Sequence, residues 1–130
     1  MSTWNELRRE IGSRFELDVE TDVEIALTLE RQTDDGVRSQ RAMIRYYRSW
    51  GRDMFEIRSA FGEADEYEPE MLLKDNLRLP LGAVARHGRF LVLLHKGCLE
   101  DHSVDAVLFL LTRIGLLADL LEGRRGGDRF

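Results

Sequence analysis

Apolar residues recur along this chain with two different periods, and the switch between them marks out its elements. Trp4, Leu7, Ile11 and Phe15 fall at helical spacing and form one stripe. Thr3 and Glu6 make a T-x-x-E capping box ahead of it, so a helix is predicted from Trp4, fading near Gly12 to Phe15. Val19 to Val23 carries few signals and reads as a connection. Then the period becomes two: Ile25, Leu27 and Leu29 alternate with Glu24, Ala26, Thr28 and Glu30, as in a half-buried strand. Asp35-Gly36 gives a hairpin signal. Arg38 to Trp50 follows as a second strand, with Ala42, Ile44 and Tyr46 on one face and Arg41, Met43, Arg45 and Tyr47 on the other. Gly51-Arg52-Asp53 turns the chain, and Phe55, Ile57 and Ser59 continue a third strand.

The second half repeats the alternation on a smaller scale. Gly62 to Glu68 is polar and turn-rich, and Pro69 suits the first turn of a short helix through Asp75. Ala83 to Arg86 and Phe90 to His95 flank His87-Gly88-Arg89 and predict a second hairpin. Gly97 to His102 reads as a loop. Asp101 or Ser103 caps a last helix that runs to about Glu122 and stops at Gly123. Val104, Val107, Leu108, Leu111, Ile114, Ala118 and Leu121 share one face of it. The expected fold class is α+β, in the order α-β-β-β-α-β-β-α. Its five-stranded antiparallel sheet would carry the N- and C-terminal helices packed on one face. One domain is expected over residues 1–123, with 124–130 as a frayed tail.

Composition narrows the partners. The chain has 130 residues, enough to bury a core without covalent staples. Its formal net charge is -5, and the two signs alternate along most of it, which argues against a nucleic-acid partner. Val104 to Leu121 is the longest apolar-rich segment, but Asp105, Arg113 and Asp119 interrupt it, so no membrane partner is expected. Cys98 is the single cysteine, and the first ten residues hold no signal-peptide apolar core. A cytoplasmic location is the expectation.

Candidate chemistry is sparse. His95, Cys98 and His102 make an H-x2-C-x3-H cluster, a spacing that metal sites use. The plainer reading is a polar strand end and loop. Cys98 as a nucleophile with a histidine base lacks an orienting group, and a lone thiol usually serves as a small apolar side chain. Phosphate-cradling glycine loops, G-x-S-x-G and H-E-x-x-H are missing from the sequence. The expectation is a non-enzymatic protein with no catalytic residue, no cofactor and no metal. A small metal-binding protein or enzyme using His95, Cys98 and His102 is the alternative of another class.

Two surfaces stand out instead. Arg41, Met43, Arg45 and Tyr47, with Arg58 from the third strand, combine arginine with aromatic and thioether groups, as partner-binding surfaces do. The same set suits base stacking, or a solvated face with arginines paired to Glu24, Glu30 and Glu56. Phe90 to Leu94 is apolar on both faces, where a half-exposed antiparallel strand would alternate. Leu91 and Leu93 then need a second cover, and a homodimer would supply it.

The element order resembles the class I type III secretion chaperones and the related YbjN-like proteins over Trp4 to Glu122. Two diffuse patches carry the likeness. One is Met71-Leu72-Leu73, Asn76 and Leu79-Pro80-Leu81-Gly82-Ala83, running on through Val84, His87-Gly88 and Phe90-Leu91-Val92-Leu93. The other is Ala118-Asp119-Leu120-Leu121-Glu122. The resemblance implies a homodimer that holds an extended client segment, with Pro69 to Asp75 and Ala83 to Arg86 contributing to the dimer. The expected dimer interface is therefore Met71, Leu72, Lys74, Val84, Leu91 and Leu93. A YbjN-like regulatory or assembly protein with a folded partner is the rival within the resemblance.

Overall fold

A computed structural model gives the chain over residues 3–123. The tail expected at 124–130 lies outside the described residues. Helix α1 spans Trp4–Arg14, and Thr3 Oγ1 caps it by accepting the Glu6 N–H at 3.2 Å. Its stripe of Trp4, Leu7 and Ile11 is buried. Trp4 is also fixed at its polar end, where Nε1–H donates to the Asp22 carbonyl at 2.7 Å.

Six strands follow, and all pair antiparallel. They are β1 (Leu17–Glu20), β2 (Glu24–Thr33), β3 (Gly36–Ser49), β4 (Arg52–Glu63), β5 (Ala83–His87) and β6 (Phe90–Cys98). The sheet order is β1-β2-β3-β4-β6-β5. Helix α2 (Pro69–Asn76) links β4 to β5, and α3 (Val104–Gly123) ends the described chain. Short 3-10 turns cover Ala64–Glu66 and Leu99–Asp101.

The α+β class, the antiparallel sheet and the two terminal helices agree with the sequence expectation, but the sheet has six strands, not five. The extra strand is β1, in a stretch that had read partly as a connection. It is four residues long, and its register shifts between Leu17 and Val19. A strand so short, broken by a bulge, shows too little alternation to be seen as a period.

The core lies between the sheet and the pair α1 and α3. Ile25, Leu27, Ile44, Phe55 and Ile57 rise from the sheet to meet Leu7, Ile11, Leu111 and Ile114. Each such side chain, fully buried, stabilises the fold by about 1.5–3 kcal/mol. Leu91 and Leu93 belong to this same core, at 4% and 0% exposure. The second cover that the sequence seemed to require is therefore not needed for them. The pleat of β6 puts Leu91 and Leu93 on the helix-covered face, in one core with Leu111 and Ile114 of α3. The half-buried Phe90 and Leu94 and the buried Val92 take the outer face.

Candidate protein-binding site

One open stretch of sheet edge is the distal half of β2. β1 pairs with β2 only from Ile25 to Leu27. No described strand lies beside β2 from Thr28 to Thr33. Two hydrogen bonds give the direction of the backbone groups. The Val23 carbonyl accepts from Tyr46 on the β3 side, while the Glu24 carbonyl accepts from Thr21 on the other. The β2–β3 register is unbroken, so the alternation continues, and Glu30 and Gln32 turn their N–H and C=O groups outward.

Beside this edge runs a groove of about 600 Å³ between β2 and α3. Phe15, Leu29 and Leu116 supply its apolar wall, and Arg14, Glu16, Arg31, Thr112 and Arg113 stand along it. Gly115 brings α3 close to the sheet. A Cβ on it would run into Leu29 Cδ1 and lie 3.8 Å from Ala42 Cβ. Gln40 lines the same groove and is buried. Its Nε2 donates to Ser59 Oγ at 2.8 Å and to the Ala60 carbonyl at 2.6 Å, while its Oε1 has no partner.

An ion-pair cluster closes the far end of the groove. Asp119 on α3 is buried, and its Oδ2 accepts from Arg31 Nη2 at 2.5 Å. Its Oδ1 accepts from Arg38 Nε at 3.0 Å, and Arg38 also reaches the buried Glu122 at 3.4 Å. Burial by itself would raise the Asp119 carboxyl. The hydrogen bonds and charges of Arg38 and Arg31 outweigh that and hold it below the usual aspartate range. The cluster ties the distal β2–β3 hairpin to the end of α3. Its acids stood in the sequence patch Ala118 to Glu122, but nothing there identified their arginine partners.

Arg41, Met43, Arg45, Tyr47 and Arg58 all lie on the outer face of the sheet, opposite the helices. Most of that set is organised by Glu56, a carboxylate with only 5% exposure. Arg45 donates to it twice, at 3.1 and 3.2 Å, Arg58 pairs with it at 3.1 Å, and Lys96 lies at 3.6 Å. The guanidinium of Arg45 stacks over Tyr47, and Arg58 Nη2 donates to Met43 Sδ. Burial pushes the Glu56 carboxyl up, but Arg45 leads the cations that bring it below its ordinary value. Arg41 alone of the five is exposed.

The residues expected at a dimer contact are divided. Met71 and Lys74 are exposed on α2, Leu72 and Val84 are half-buried against the core, and Leu91 and Leu93 are inside it. The exposed apolar residues of α2 and its C-cap are Met71 on one side and Leu73 and Leu77 on another, at 63%, 69% and 89% exposure. Asn76 on the same helix guards the β5 edge, its Oδ1 accepting the Val84 N–H at 2.6 Å.

His95 and His102 lie near one another, but the Cys98 thiol is turned away from them. His95 and His102 both pack on Phe55, while the Cys98 thiol contacts Met54 Sδ at 3.4 Å. His102 Nδ1 lies 2.7 Å from the Cys98 carbonyl. Burial, and then the neighbouring His102, lowers the His95 pKa. Among the described residues no group of three or more His, Cys, Asp or Glu is placed to hold a metal. Among them, too, no helix is long and apolar enough to cross a membrane. No family model matches the chain, and neither a curated protein nor a solved structure matches it.

Proposed function

We propose that this chain is a non-enzymatic protein-binding domain that holds an extended segment of a client along β2 and pairs with a second copy through α2. The observation that carries the reading is the uncovered edge of β2 beside an apolar groove. Outward N–H and C=O groups at Glu30 and Gln32 offer main-chain pairing, and the groove receives every second side chain of an added strand. Leu73 and Leu77, exposed one turn apart, support self-association, since a twofold contact would cover the same patch on both chains. This behaviour agrees with the resemblance to the secretion chaperones. The lone thiol of Cys98 suits a reducing compartment such as the cytoplasm. A second reading, a folded partner, draws on Phe109 and Leu120, which stand exposed on α3.

The test is co-purification of a native partner by the wild-type protein and by Glu30→Pro. Proline removes an outward N–H that the described sheet does not use, so the fold tolerates it while strand addition is blocked. A partner held by the wild type and lost with the folded variant supports the reading. Equal retention contradicts it.

A further inference from the structure

We infer that the β2 edge selects a client strand with a basic side chain opposite Glu30. This rests on the strand-addition reading above and adds the chemistry of the client. Glu30 is exposed on the outer face, and among the described residues it has no ion-pair partner. Arg41, its diagonal neighbour on β3, makes no ion pair with it.

Self-pairing meets uncompensated like charges in the register centred on Glu30. A second copy joined edge to edge must run antiparallel about a twofold axis, with its groove-facing residues on the same side. Two registers use nearly all of residues 28–33. One sets Glu30 directly opposite the other copy's Glu30; the second sets Arg31 opposite Arg31, each already neutralised by Asp119. Like charges at directly opposed positions destabilise a pair of strands. An unlike strand escapes that conflict, and gains an opposite charge, if it places lysine or arginine opposite Glu30. Its alternate positions enter the groove, where Phe15, Leu29 and Leu116 call for apolar side chains.

The experiment uses the intact protein and synthetic strands that alternate valine with threonine and carry one central threonine replaced by lysine or by glutamate. Binding is followed from the backbone amide signals of residues 28–33, with a peptide copy of residues 24–33 as the self control. The lysine peptide is expected to shift these signals and to bind about fivefold more tightly than the glutamate peptide. Glu30→Lys should reverse that order, and the self peptide should bind more weakly than the lysine peptide. Equal binding of the two charged peptides at this edge would overturn the charge selection and leave strand addition standing. A self peptide as strong as the lysine peptide would likewise overturn the charge selection. If no peptide shifts these signals, the strand-addition reading falls, and the inference with it.

Discussion

Gly115 on α3 rests against Leu29 on β2 so closely that any β-carbon would displace the leucine. The groove beside β2 takes its shape from this contact. Gly115→Val should cost about 1–3 kcal/mol in urea unfolding, because it overpacks the helix–sheet contact. The same change in a Leu29→Ala background should cost less, with a coupling of at least about 0.5 kcal/mol. Strict additivity would mean that the two residues do not share the space.

Asp119 makes the fold sensitive to acid. Its folded carboxyl titrates below the ordinary value, while in the unfolded chain it titrates near about 3.9. The stability it contributes is therefore fully present above about pH 4 and is lost as pH falls through the lower folded value. Asp119→Asn should cost about 2–3 kcal/mol at neutral pH, since Arg31 and Arg38 remain partly exposed to water. Denaturation series from pH 7 to pH 2 should show a shallower loss below about pH 4 in the variant than in the wild type.

Arg45 answers to Glu56 before it answers to any partner. Arg45→Glu would set a second carboxylate beside a buried one and remove two hydrogen bonds. A loss of about 1–3 kcal/mol is expected by chemical denaturation, against less than about 0.5 kcal/mol for Arg41→Glu. Similar losses for the two would mean that Glu56 does not depend on Arg45.

Trp50 is strained and wholly exposed at the β3–β4 turn, with a φ of 54°. Bulky residues pay for the left-handed region, whereas asparagine tolerates it. Trp50→Asn should raise stability by about 0.5–1 kcal/mol, read as a higher urea midpoint at unchanged slope.

Self-association should separate surface from core. Leu73→Asp is expected to give a folded monomer near the chain mass of 15.1 kDa by light scattering, and the wild type is expected at twice that mass. Leu93→Asp should instead unfold the chain, because the charge would have no partner inside the core. A wild-type monomer at high micromolar concentration would remove the dimer from the account.

Much of the fold was legible because strict alternation survives in β2, β3 and the middle of β4. Ile25, Leu27, Ile44 and Ile57 fall on one face in the sequence and in the sheet. Where two faces are both apolar, alternation cannot say which one is core. The sequence alone therefore assigns Leu91 and Leu93 to a partner, whereas they lie on the face that α3 covers. The groove was illegible because it depends on where β1 stops, and β1 has no periodic signal. Gly115 within an apolar helix was a usable sign of close approach, since glycine there costs about 1 kcal/mol relative to alanine. Asp119 and Glu122 on buried positions of that helix were another, since buried carboxylates require cations.

Amide hydrogen exchange along β2 tests the central claim most directly. In the free protein, Glu30 and Gln32 should exchange fast while Leu29 and Arg31, bonded to β3, exchange slowly. Adding the valine–threonine peptide with its central lysine should slow Glu30 and Gln32 and leave Leu29 and Arg31 unchanged. Protection of Glu30 and Gln32 in the free protein, or no slowing of them at saturating peptide, would contradict a client strand at this edge.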